Sequence, residues 1–228
     1  MTVGSLPPLS LVRRYDTHRL IPSKYSQGGD SVLARIASGA DLEALFDLEG
    51  ATNDRLLAEQ GRAAAIGPAE LLAGVPYASI INAAFTHAHP LGSRFNGPDR
   101  GAWYAGFDLL TSQAEVIFHK TTEYAEIGRF TDSVTYDDYL ADVSAELHDL
   151  RGNAHFADCL APDSYVVSQT LAEQLLGDGS LGIVYPSVRR RRGVCLALFQ
   201  PSLVANVRKA ATWRFVWSGS PSPEVEQA

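Results

Sequence analysis

The chain has 228 residues, with 19 lysines and arginines against 26 aspartates and glutamates, a formal charge of −7 at pH 7. With 46% hydrophobic and 20% charged residues, it can bury enough apolar surface to offset chain entropy, which excludes disorder over most of its length. The negative balance argues against a protein that coats DNA or an anionic lipid surface, since both reward basic proteins.

The length allows one full domain, or one domain with a smaller helical appendage. Pro7 and Pro8 stand where a secretory leader would carry its apolar run, and no stretch approaches the ~20 apolar residues of a membrane span. Cys159 and Cys195 are too few for a disulfide framework and lack metal-ligand spacing. A reduced, cytoplasmic protein is expected.

Residues 30–74 read as a run of short helices, with Val32, Leu33 and Ile36, then Leu42, Leu45, Phe46 and Leu48, at helical spacing. Glycines 39, 50, 61 and 74 punctuate them, and Pro68 with Glu70 suits a first helical turn. The turn formers of 90–98 precede a short buried strand over 101–106, and 111–124 reads as a helix. A strand is expected over 134–147, a helix over 164–176 ending at Gly177, and strands over 182–185, 194–199 and 213–217, the last with Arg214 exposed. The tail, 218–228, is polar and Pro-containing and is expected to be flexible. Helices followed by mixed strands and helices predict an α+β fold: a mixed-sheet core with an N-terminal helical subdomain at 30–74.

One motif is a decoy. Gly177-Asp-Gly-Ser-Leu-Gly182 fits the G-x-G-x-x-G dinucleotide pattern, but it follows a helix and precedes a strand, the reverse of what phosphate binding at a helix N-terminus requires. The histidines do not assemble a metal site: His87 and His89 sit beside Pro90, and His119, His148 and His155 are scattered. Cys195, in an apolar run, reads as a buried small hydrophobe.

Three segments carry more. In Gly92-Ser-Arg-Phe-Asn96, Arg94 and Asn96 offer planar donors to a phosphate or carboxylate, or Arg94 pairs with Asp99. Trp103-Tyr104 is followed by Glu115, which Ser112 three residues earlier makes a candidate capping-box residue. Tyr185-Pro-Ser187-Val-Arg puts a serine at the end of an apolar strand, either as a binding residue or as turn chemistry. The four arginines 189–192 that follow read as a solvated hairpin loop or as an anionic contact.

In this order and spacing, Gly-Ser-Arg94-Phe-Asn96, Trp-Tyr104-Ala, Thr-Ser-Gln-Ala-Glu115-Val and Gly-Ile-Val-Tyr-Pro-Ser187-Val-Arg resemble the RES-domain family. Arg19 in His-Arg-Leu-Ile-Pro resembles the arginine near the start of that domain, and 30–74 resembles an insertion. The resemblance implies a fold similar to ADP-ribosyltransferase toxins. It implies a toxin of a toxin–antitoxin pair that consumes NAD as substrate, with no metal and no prosthetic group. The partner implied is an Xre-type helix-turn-helix antitoxin, through which alone nucleic acid would be met; no membrane is involved.

The residues fit that chemistry. Arg94 and Arg19 would bind the pyrophosphate, Tyr104 would stack on the nicotinamide, and Glu115 would stabilise the ribosyl cation. Asn96 and Ser187 would hydrogen-bond the substrate. Water or phosphate could accept the ADP-ribosyl group (a glycohydrolase or phosphorylase), or a protein could (a transferase). A non-catalytic NAD-binding module stands as the alternative from another class.

Overall fold

The computed structural model describes residues 6–26 and 66–228. Strand β1, Leu9–Pro22, runs antiparallel along β3, Thr131–Asp149, from Leu9 opposite His148 to Pro22 opposite Tyr136. β1 is not legible as a strand in the sequence. Its outward residues include Leu9, Leu11 and Tyr15, all more than half exposed, so the alternation that marks a half-buried strand is missing. Over 143–147, β3 alternates cleanly: Val143, Ala145 and Leu147 are buried while Ser144 and Glu146 are exposed.

A short turn, α1 (Ser23–Ser26), follows β1. Of the expected helical insertion over 30–74, residues up to 65 lie outside the described residues; beyond them Pro68–Glu70 forms one 3-10 turn, and Glu70 pairs with Arg100 at 2.7 Å. Helix α2, Ala78–Thr86, then packs Ile80, Ile81 and Phe85 into the core.

Strand β2 (Trp103–Gly106), helix α3 (Leu109–Glu126), helix α4 (Val166–Gly177) and the hairpin of β4 (Gly182–Pro186) and β5 (Val194–Leu198) match the expected elements within a few residues. The sheet order is β1-β2-β5-β4-β3, continued by β6 (Ala205–Ser218) and β7 (Glu224–Gln227). Among the described strands, only β3 and β4 pair in parallel. Because β1 also pairs with β3, the first five strands close on themselves, and the weakest join is β1 to β2, through His18 opposite Gly106 alone. The class is α+β, with a mixed sheet, as expected.

The flexible tail over 218–228 is corrected. β7 pairs antiparallel with β6, Trp213 opposite Gln227 through Val216 opposite Glu224, and Arg214 donates to Glu226 at 2.7 Å. β6 would otherwise be a bare edge, whose unpaired amides and carbonyls template any returning segment whatever its side chains.

Among the described residues, buried apolar side chains form three clusters. One joins α2 to the β1–β3 face, with Trp103 and Phe85 fully buried. A second packs α4 and Phe156 on β4 and β5, and a third sets Tyr124 of α3 against Phe215 and Trp217 of β6.

Candidate active site

Where β1 and β2 part beyond their single opposed pair, a cavity of about 290 Å³ opens, floored by Cys195 and Tyr185 and walled by α3. Ser112, Glu115, Val116, His119, Lys120 and Glu123 all line it. Their three- and four-residue spacing is one face of a helix.

Glu115 is not a capping-box residue. α3 starts three residues before Ser112. Its N-cap is Asp108, whose carboxylate accepts from the Thr111 amide at 2.9 Å. Ser112 instead donates its hydroxyl to His18 O at 2.7 Å and accepts the Gly106 amide at 3.1 Å, which seals the helix against the β1–β2 join. A Cβ on Gly106 would lie 2.5 Å from the Ser112 hydroxyl, so only glycine permits this approach.

One turn beyond Ser112, Glu115 accepts the Ser187 hydroxyl at 2.7 Å. Ser187 Oγ also accepts the amides of Arg189 and Arg190 at 3.1 and 3.0 Å. Its one donor and both lone pairs are thereby used. Ser187 does not line the cavity; it holds the carboxylate that does. Cys195 Sγ approaches the same Glu115 oxygen at 3.7 Å. Burial, then that carboxylate, pushes the thiol pKa up, as a small hydrophobe rather than a nucleophile requires.

Arg19 reaches in from β1. Its guanidinium lies 4.8 Å over the Trp103 ring and donates Nη1 to Tyr104 O at 3.0 Å. Its buried Nε has no partner, and burial pulls its pKa down to about 10, which leaves it charged at neutral pH. A half-buried guanidinium at the cavity wall, with one N–H unsatisfied, favours an anion beside it.

Arg94 also lines the cavity, but it does not pair with Asp99. Its Nη1 donates to Cys159 O and Ala161 O at 3.1 and 2.8 Å, and the guanidinium stacks 4.7 Å over Tyr165. It therefore pins the segment that carries Tyr165 into the cavity wall, and a ligand would meet only the other edge of the fork.

Tyr104 lines the cavity as well, with its hydroxyl turned to the Arg94 turn. It donates to Asn96 Oδ1 and accepts the Phe95 amide, each at 2.8 Å. Burial raises its pKa, so it stays a neutral phenol. Asn96 Nδ2 donates to Gly97 O at 2.7 Å, and the residue faces a separate depression beside α4. Asn96 is thus brought to Tyr104, not to the cavity. Gly92, at φ +69°, closes this turn, where a Cβ would meet Asn96 O at 2.2 Å.

His119, Tyr165 and His18 are cavity residues that the sequence reading missed. For His119 the signal was available: it stands four residues after Glu115, and burial, partly opposed by Glu115, lowers its pKa. His18 hydrogen-bonds Asp138 at 2.8 Å. The arginine run is a hairpin loop, as one reading held, with Arg190 paired to Asp108 at 3.1 Å. Among the described residues, no group of three or more His, Cys, Asp or Glu is placed to hold a metal ion. Among them, too, no helix is long and apolar enough to cross a membrane.

Comparisons with known proteins bear on this arrangement. One solved structure, the M. tuberculosis MbcT–MbcA toxin–antitoxin complex, aligns at 15% identity and a TM-score of 0.42, covering 54% of this chain and 71% of that one. No curated protein matches. The family model described as the RES domain matches residues 70–218, which takes in Arg94, Tyr104, Glu115 and Ser187 and leaves Arg19 upstream. The chain belongs to the RES-domain family.

Proposed function

We propose that this protein consumes NAD by breaking the bond between nicotinamide and ribose. The observation that carries the reading is one cavity lined both by Arg19, whose Nε has no partner, and by the Glu115 carboxylate fixed by Ser187. Arg19, with the outer edge of Arg94, suits a pyrophosphate; Tyr104 and Tyr165 supply aromatic walls for the nicotinamide. As the carbon–nitrogen bond breaks, its electron pair goes to the pyridinium nitrogen, leaving neutral nicotinamide and an oxocarbenium-like ribosyl cation. Glu115 stabilises that cation electrostatically until an acceptor oxygen adds to the anomeric carbon. Ser187 positions Glu115 and touches no substrate. Water or phosphate is the acceptor in this reading, which makes the enzyme a glycohydrolase or phosphorylase. Incubating purified protein with NAD, with and without phosphate, tests it: nicotinamide should appear with ADP-ribose or its 1-phosphate. Label left on a protein band would move the reading to transfer, and saturable NAD binding without any release would move it to a binding module.

The family supports a cytoplasmic toxin held in check by a partner, because an enzyme that drains NAD must be silenced in its own cell. The partner we propose is an Xre-type helix-turn-helix antitoxin whose acidic side chain or terminal carboxylate reaches Arg19 or Arg94. Co-expression with the product of a neighbouring helix-turn-helix gene should permit growth where this chain alone does not. Equal toxicity with and without that partner would refute the pairing.

A further inference from the structure

At about 290 Å³, the cavity falls just short of the ~300–1,000 Å³ typical of small-molecule sites. A dinucleotide would extend beyond it. A second, open groove of about 580 Å³ adjoins it and shares Lys120, Glu123 and Tyr136 with it. Val134 and, on α1, Lys24 and Tyr25 also line the groove.

Tyr25 is an unusual residue to find there. Tyr25 is 52% exposed, yet the turn that carries it is firmly anchored on both sides. Ser23 donates to Asp137 Oδ1 at 3.1 Å; Ser26 donates to Asp137 Oδ2 and lies 2.6 Å from the Tyr139 hydroxyl. Lys209 sits on the same carboxylate at 2.7 Å. A four-residue helix has little stability of its own, so these bonds are what hold α1 in place. They hold it so that an aromatic ring stands in water at the groove. Lys24 Nζ covers the ring at 4.6 Å from its centroid, and a ring has a second face. The two acidic groups at the groove are already engaged: Glu123 pairs with Lys120 at 2.6 Å, and Asp132 accepts the Tyr124 hydroxyl at 2.5 Å. With Lys120 engaged by Glu123 and Lys24 by one face of Tyr25, the other face of the ring is the recognition element, and it suits a planar base such as a purine.

We propose that this groove is the subsite for the adenine-nucleotide half of the substrate, with Tyr25 stacking on the purine. The proposal rests on the NAD reading. It adds a binding residue that lies outside the family match, which begins at residue 70.

The test compares wild type, Tyr25→Ala and Tyr25→Phe in NAD turnover and in calorimetric titration with AMP. Base–aromatic stacking is typically worth a factor between about 5 and 150 in affinity. Tyr25→Ala should raise KM for NAD and weaken AMP binding within that range, with kcat unchanged and a normal thermal melt, while Tyr25→Phe behaves as wild type. An unchanged KM overturns the subsite, as does a fall in kcat with KM unaltered. If no variant cleaves NAD, the cleavage reading fails by itself and AMP decides the groove. Binding weakened in Tyr25→Ala and restored in Tyr25→Phe sustains the subsite; AMP binding that is absent or indifferent to Tyr25 overturns it.

Discussion

Replacing Glu115 with Gln separates chemistry from structure because the two effects differ in size. The Ser187 hydroxyl, 2.7 Å from the carboxylate, can donate equally to a carbamoyl oxygen. The amides of Arg189 and Arg190 keep their bonds to Ser187 as well. What falls is the strength of one bond, from a charge-assisted ~1.5–3 kcal/mol to a neutral ~0.5–1.5 kcal/mol. The loss is about 1 kcal/mol, or roughly 2–4 °C in Tm for a chain of this size. Losing a well-placed charge opposite a developing cation costs far more, ~10²–10³ in rate. Chromatographic measurement of nicotinamide release and a thermal melt on the same preparation give both numbers. A Glu115→Gln protein that melts within a few degrees of wild type and turns over NAD at the parental rate would refute the catalytic assignment.

Arg19→Lys exchanges a fork stacked on Trp103 for a point charge; KM for NAD should rise roughly 10-fold or more, the scale of one charge-assisted hydrogen bond, which steady-state kinetics would detect. Tyr104→Phe leaves the Phe95 amide and Asn96 Oδ1 without their partner, at about 1–3 kcal/mol for each group left unsatisfied; a lowered Tm checks it, and an unchanged Tm would mean that the Arg94 turn does not depend on this hydroxyl. Burial raises the pKa of Asp137, but hydrogen bonds from Lys209, Ser26, Thr212 and Ser23 outweigh it, leaving the carboxyl below its ordinary value. A depressed folded-state pKa contributes stability that is complete above the unfolded value of ~3.9 and is lost as pH falls through the folded one. Asp137→Asn should therefore be less stable at pH 7 and lose less on acidification below about pH 4, as denaturant melts across that range would show.

The elements with strong local signals were legible from the chain alone. α3, α4, β2, β4 and β5 stand where periodicity and glycine punctuation put them, because one buried face and a local stop suffice to define such segments. The candidate residues Arg94, Tyr104, Glu115 and Ser187 could likewise be picked out as planar donors, an aromatic and polar groups at element ends. Their relations could not. The capping-box spacing of Ser112 and Glu115 is a local pattern, and Asp108 forms the cap instead because Ser112 is drawn to His18 and Gly106, on strands that only the closed sheet brings together. Ser187 meets Glu115 across 72 residues of sequence, and Arg19 meets Tyr104 across 85; no window of sequence contains both partners. β1 and β7 were missed for the same reason: each is a strand by virtue of the backbone ladder that β3 or β6 offers it, and backbone hydrogen bonding leaves no mark in the side chains. The sequence by itself determined which groups were available for the chemistry. Tertiary structure alone decided that Ser187 holds the carboxylate while Arg19, stacked on Trp103 with its Nε unpartnered, lines the same cavity, because both facts depend on contacts between strands and helices far apart in the chain.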